Sequence, residues 1–335
     1  MSELHRRALV IDALNFHGDG DPAVLREAGI AAVNLTVSHF EADFEQAMDG
    51  IARWLDIMRR PGSGWRKVER ASDIEAARQA GEVGLVMGWQ NLRPIADRLD
   101  RLVMLHALGL RVAQLTYNRR NFLGDGCLES EDGGLSGLGR DAVRLMNELG
   151  IAIDLSHVGQ RTSVEAADAS GKPVLATHAN ARSVTSALRN KSDDAIRAIA
   201  ATGGVIGVSI YGPMCWDGDP KRHPSLDDFE RHLDRILELT GIEHVGIGTD
   251  LPAVADLDSV RHITALTLER FPAAIATYVE AFSNDIHDRY LSDCASHREL
   301  AAITGRLQRR QWPEEDILKL LGGNFLRAFG EIWGG

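Results

Sequence analysis

The sequence predicts a (β/α)8 barrel of the TIM type with a C-terminal helical extension. Three observations carry that prediction. Eight short, nearly continuous apolar runs alternate with longer amphipathic stretches, as expected of parallel strands buried on both faces. Two of those runs end alike, in a small hydroxyl residue and then a histidine, Ser156-His157 and Thr177-His178. In such barrels the chemistry sits at the C-terminal ends of the strands. Beyond about residue 253 only helical periodicity continues. The chain is therefore read as one domain, 1–335, with the barrel at about 8–252 and a helical extension at about 253–335 packed on it.

The first strand is read at 8–14 (ALVIDAL), followed by a short helix at 21–29. The second strand is 31–37 (AAVNLTV), and 41–59 is a long amphipathic helix. Residues 61–67 read as a turn-rich link, and 72–80 as a helix with Ser72 and Asp73 as capping candidates. The third strand, 83–89 (VGLVMGW), precedes a helix at 95–108, and the fourth is 111–117 (RVAQLTY). A glycine-rich loop at 124–139 is long enough to be a site loop. A helix at 138–149 leads to strands five and six, 151–155 and 173–177, with a helix at about 160–169 between them. A helix at 193–201, strand seven at 205–210, a helix at 226–240 capped by Ser225 and strand eight at 244–249 complete the barrel. In the extension, Trp312-Pro313-Glu314-Glu315 opens a helix that stops at Gly322-Gly323, and 324–333 follows as another.

A net charge of −11 argues against nucleic acid or an anionic membrane as partner. Cys127, Cys215 and Cys294 form no CxxC pair, so a reducing cytoplasm is the expected location. The first residues hold no run suited to a signal peptide, and no stretch is apolar enough to span a bilayer.

The barrel reading asks which residues stand at the strand ends. They are Asn15 and Phe16, with His17 and Asp19 beyond; Gln90 and Asn91; Tyr117 and Asn118; His157; His178; Tyr211; and Asp250. Arg189 lies in the loop after strand six. Two histidines at one rim are candidate metal ligands, the alternative being buried rings satisfied by the backbone. Asp250 reads as a general base, a metal ligand or a turn cap. Arg189 is suited to a substrate carboxylate, or else pairs with Asp193 or Asp194. Tyr117 is either an aromatic wall or a donor to a carbonyl oxygen. Gln90, Asn91 and Tyr211 are candidate substrate contacts, and Asp154, inside a strand, is a hydrogen-bonding residue rather than a catalytic one.

The runs LTYNRRN…GLSGLGRDAVRLMNELGIAIDLSHVGQRT, PVLATHANARSV…LRNKSDDAIRAIAATGGVIGVSIY, HLDRILELTGIEHVGIGTDL and LGGNFLRAF together resemble the renal (membrane) dipeptidase family of amidohydrolase-type metal-dependent barrels. That resemblance implies hydrolysis of dipeptides, some with a D-residue at the second position, by two zinc ions bridged by a glutamate, often in a homodimer. It implies that His157 and His178, twenty-one residues apart, bind one zinc, that Arg189 holds the substrate carboxylate and that Asp250 shuttles the proton. It also exposes departures. The first-strand HxD pair of the family aligns with Leu14 and Phe16, the bridging glutamate with Gln90, and a carbonyl-polarising histidine with Tyr117. His17-Gly18-Asp19 is a displaced HxD that a shifted loop would have to return to the rim.

The resulting expectation is a dipeptidase-like hydrolase of a small amide bearing a carboxylate. It has at most one divalent metal, zinc, on His157 and His178, with Asp250 and Tyr117 catalytic and Arg189, Gln90, Asn91 and Tyr211 binding substrate. The alternative is a non-hydrolytic relative, metal-free, that binds or isomerises an amino-acid-like ligand.

Overall fold

A computed structural model describes residues 2–334. Ten parallel strands form one sheet: β1 (Val10–Gly18), β2 (Ile30–Thr36), β3 (Trp65–Lys67), β4 (Val83–Trp89), β5 (Leu110–Gln114), β6 (Ala152–Asp154), β7 (Leu175–Ala176), β8 (Val205–Val208), β9 (Val245–Ile247) and β10 (Leu251–Ala253). Their order is β10-β1-β2-β4-β5-β6-β7-β8-β9, with β3 paired to β4. Strands β9 and β10 are two parts of one barrel strand. The first pairs with β8 and the second with β1, so the sheet curls back on itself. The seam is held by Asp12, whose carboxylate accepts from the Thr249 backbone N–H at 2.9 Å and from its hydroxyl at 2.6 Å.

The apolar runs locate the strands, and tertiary pairing sets their ends. β1 runs on to Gly18 because its second half finds β10, pairing Asn15 with Leu251 and Gly18 with Ala253. The link at 61–67 holds a real strand, β3, since Trp65–Lys67 pair with Val83–Leu85. The helix expected from residue 41 starts at Phe44, where Asp43 and Gln46 form a reciprocal capping box. The helix expected from 95 starts at Asp100, after a single turn at Arg93–Ile95.

One end of the barrel is plugged. Ile11, Ala13, Ala32, Val86, Val112, Ala152, Leu175 and Val205, drawn from β1, β2 and β4–β8, share an apolar cluster with Phe325, Ala328, Phe329 and Ile332 of the helix Asn324–Trp333. The preceding glycines make this docking possible: a Cβ on Gly322 would lie 2.1 Å from the Leu9 carbonyl oxygen. With that end filled, the open cavity lies at the C-terminal ends of the strands. No helix among the described residues is long and apolar enough to cross a membrane.

Candidate active site

A cavity of about 570 Å³ opens at this rim, within the range of small-molecule sites. Its inner wall carries Gln90, Tyr117, His157, Arg189, Tyr211 and Asp250. His178 is fully enclosed behind them and meets the site through two neighbours. Its Nε2 lies 3.0 Å from His157 Nε2 and 3.3 Å from the Gln90 side-chain amide.

The hydrogen bonds around the two rings determine their tautomers. Asp154 accepts the Thr177 hydroxyl at 2.7 Å. With its one proton spent, the Thr177 oxygen, 2.9 Å from His178 Nδ1, must accept from that nitrogen. Asn118 Oδ1, 2.8 Å from His157 Nδ1, accepts from the other ring. Both Nδ1 atoms therefore carry the proton, and two Nε2 lone pairs converge. Neither ring escapes by becoming cationic. Burial first, then the Arg189 guanidinium, hold both imidazoles well below their ordinary range. Two neutral imidazoles presenting lone pairs to one point, each fixed from behind, are organised as metal ligands are. This donor set fits one divalent ion; Gln90, whose N–H2 faces the His178 Nε2 at 3.3 Å, would serve as a neutral third ligand through its carbonyl oxygen once the amide is turned over.

A second ion finds no such set. Leu14 is packed into the core, and Phe16 presents only its ring to the cavity. His17 lines the cavity but lies toward its mouth. The Asp19 carboxylate turns to the backbone N–H groups of Asp21 and Ala255. Among the described residues no cluster of three or more His, Cys, Asp or Glu side chains is placed to hold a metal.

Asp250 adopts a left-handed backbone (φ 62°), a conformation that Asp tolerates better than most residues. It is pinned by its N–H to the Leu14 carbonyl and by its own carbonyl to the Tyr290 hydroxyl at 2.7 Å. Burial, opposed by Arg189 and reinforced by Asp12 and Asp154, raises its carboxyl pKa to about 7. Arg189 does not pair with Asp193 or Asp194, which bond to Arg235 and Arg197. Its guanidinium instead donates to the carbonyls of Ser156 and His178, the latter at 3.2 Å, and so ties the two histidine-bearing strand ends to each other. Tyr117 lies between Phe40 and His157, with ring centroids 4.4 and 3.9 Å away. Burial, and then Asp250, raise its phenol well above 10, so it keeps its proton and is a donor. Tyr211 accepts from the buried Arg289 at 2.9 Å.

Two expectations are corrected. Asn91 is not a substrate contact. Its amide donates to the Phe40 carbonyl at 2.8 Å and its oxygen accepts from the Arg93 N–H at 3.0 Å, so both ends are spent on the backbone and the side chain does not line the cavity. The loop at 124–139 does not line the cavity either. It folds against the outside of the His157 segment, where the Cys127 N–H donates to the His157 carbonyl at 2.9 Å. Two roles were missed, that of Asn118, placed at the rim but not as the partner of His157, and that of Asp12 as the clamp of the seam. The signal for Asp12 was present, since VIDAL and AIDLS each place an aspartate inside an apolar run.

A profile of the membrane dipeptidase family (peptidase family M19) matches residues 24–271, most of the chain. The chain belongs to that family. Among curated relatives, an uncharacterised dipeptidase of Schizosaccharomyces pombe is 27% identical over 294 residues, covering 84% of this chain and 66% of its own. A Claviceps purpurea dipeptidase is 27% identical over 67% of this chain and 52% of its own. The chain thus spans between about half and two-thirds of the length of these curated relatives. Among solved structures, an amidohydrolase from Pseudomonas aeruginosa is 29% identical, with a TM-score of 0.85 over 99% of both chains. A Rhodobacter sphaeroides metallopeptidase, liganded with a phosphinate mimic of the dipeptide L-Ala-D-Ala, shares the fold at 20% identity. Its TM-score is 0.79 over 97% of this chain and 99% of its own. The fold is thus the barrel that these amidohydrolase and metallopeptidase structures share.

Proposed function

We propose that the chain is a mononuclear, dipeptidase-like hydrolase of an amide that bears a free carboxylate. The observation that carries this reading is the convergence of the His157 and His178 Nε2 lone pairs 3.0 Å apart, at the inner end of a cavity shared with Asp250 and Arg189. His157 and His178, with Gln90, would hold one divalent ion, zinc by family habit, which when bound supplies Lewis acidity and lowers the pKa of water.

The protein side chains do the rest. Arg189 binds the substrate carboxylate through the N–H groups it does not spend on the Ser156 and His178 carbonyls. Asp250, titrating near neutrality, takes the proton of the attacking water as the new C–O bond forms. It returns that proton to the departing nitrogen as the C–N bond breaks. The Tyr117 hydroxyl donates to the carbonyl oxygen as negative charge gathers there. The phosphinate dipeptide mimic bound by the Rhodobacter relative supports a dipeptide-like amide as the substrate. A cytoplasmic location and a homodimer belong to the same proposal.

A second reading, metal-free binding or proton transfer by Asp250 and Tyr117, draws on the neutral character of Gln90 and the lack of a carboxylate third ligand. The two separate in one assay. Zinc-supplemented and chelated protein is incubated with dipeptides of both configurations and with N-acyl amino acids, and released amine is measured. Amine release that requires about one zinc per chain is expected. No release at full zinc occupancy would overturn the hydrolase.

A further inference from the structure

The mouth of the cavity carries charges to which the proposed hydrolysis assigns no role. The chain as a whole is acidic, with net charge −11, yet the cavity wall is not. Its arginines are Arg53, Arg189 and Arg270, and only Glu41 and Asp250 oppose them. Three arginines against two carboxylates leave the wall net positive even with both acids ionised. Arg189 lies at the inner end, whereas Arg53 and Arg270 are exposed at the mouth.

Arg53 is held in place by the Gly18 carbonyl at 3.3 Å and the Asp19 carbonyl at 3.3 Å, and it meets no carboxylate among the described residues. Imidazoles accompany it. His39 Nδ1 accepts from the Glu41 backbone N–H at 3.1 Å, which leaves its Nε2 protonated as a donor. His17 lies beside Arg53. After burial, that guanidinium is the main cause that holds its ring neutral and below its usual range. Neutral imidazole N–H groups and guanidinium forks both welcome an anion, whereas a free α-ammonium would meet two arginines there.

We propose that this mouth seats a second anionic group, so that the preferred substrate is a dianion: an amide with one carboxylate on Arg189 and another at Arg53, Arg270 and His39. The positive cavity in an acidic protein also focuses such a ligand from solution. The placing of the scissile amide rests on the hydrolase reading, whereas the charge selection is a statement about binding alone.

The test uses N-succinyl-alanine, a dianion, and N-acetyl-alanine, a monoanion of the same backbone. Both configurations are titrated calorimetrically into zinc-supplemented protein at low and high salt. The dianion is expected to bind about tenfold tighter or more at low salt, as one further charge-assisted contact predicts. That advantage should shrink at high salt. Arg53→Gln and Arg270→Gln, both at exposed positions, should each narrow the gap. Equal affinities, no binding of the dianion, or a gap indifferent to both substitutions would overturn the proposal. Amine release from the same two compounds is followed in parallel. Release from neither, with the affinity gap intact, would remove the hydrolase reading and leave the dianion site standing.

Discussion

The Thr177 hydroxyl donates to Asp154 at 2.7 Å, and in doing so it determines which nitrogen of His178 is free. Asp154 also accepts from the backbone N–H groups of Ser156 and Thr177 and from the Ser156 hydroxyl. One buried carboxylate thus ties two strand ends together and sets the tautomer of a ring it does not touch. Asp12 binds Leu14, Asn15 and Thr249 in a related way and presents Asp250.

Asp154→Asn therefore tests the tautomer argument. An amide N–H2 facing Thr177 would turn the hydroxyl proton toward His178 Nδ1 and move the ring proton to Nε2. Zinc affinity is expected to fall by about 10–100-fold, the usual cost of losing such a partner. It is measured by competition with a chromophoric chelator, with a thermal melt run alongside to register loss of folding. Unchanged affinity in a folded variant would refute the assignment.

Gln90→Glu should act in the opposite direction. It replaces an amide N–H2 that donates to the His178 Nε2 at 3.3 Å with a carboxylate that can only accept, where the resemblance aligns the family's glutamate. Zinc should bind more tightly, by roughly tenfold or more given the strength of carboxylate over amide ligands. An affinity that stays the same or falls would show that residue 90 lies outside the ligand set.

Asp250 makes a pH prediction with a definite sign. Acting as base it must be ionised, so kcat should rise with pH through about 7. Asp250→Asn should lower kcat by about 10²–10⁴ and abolish that acid limb. The stability sign is the reverse. A carboxyl raised in the folded state favours folding while protonated, below its unfolded value near 4. That contribution is lost as pH rises through about 7. The Asn variant is thus expected to melt higher than the wild type at pH 8. A lower melting temperature there would contradict the assigned burial.

The plug of the barrel is testable without activity. Phe329 is fully buried and stacks on Trp333 with ring centroids 4.2 Å apart. Phe329→Ala should cost about 3–5 kcal/mol in urea unfolding. It should do so in a single transition, because the helix completes the barrel core. A separate early transition would mean that the extension folds on its own.

Local sequence determined much of this protein. The apolar runs and their spacing placed eight of the ten strands, because a doubly buried parallel strand must be apolar throughout; β3 and β10, three residues each, were legible only through their pairing with β4 and β1. The hydroxyl-histidine endings marked His157 and His178, and GTD marked Asp250, because barrel chemistry gathers where strands end. Tertiary structure decided what depends on partners distant in the chain. It extended β1 to Gly18 through its pairing with β10, turned Asn91 and the 124–139 loop away from the cavity, and brought Asn118 to His157. It also set Arg53, Arg270 and the His39 ring around one opening. Periodicity reports which face of an element is buried. Which hydrogen bonds a buried polar group makes, and hence its tautomer, charge and chemistry, is decided only when the strands have closed around it.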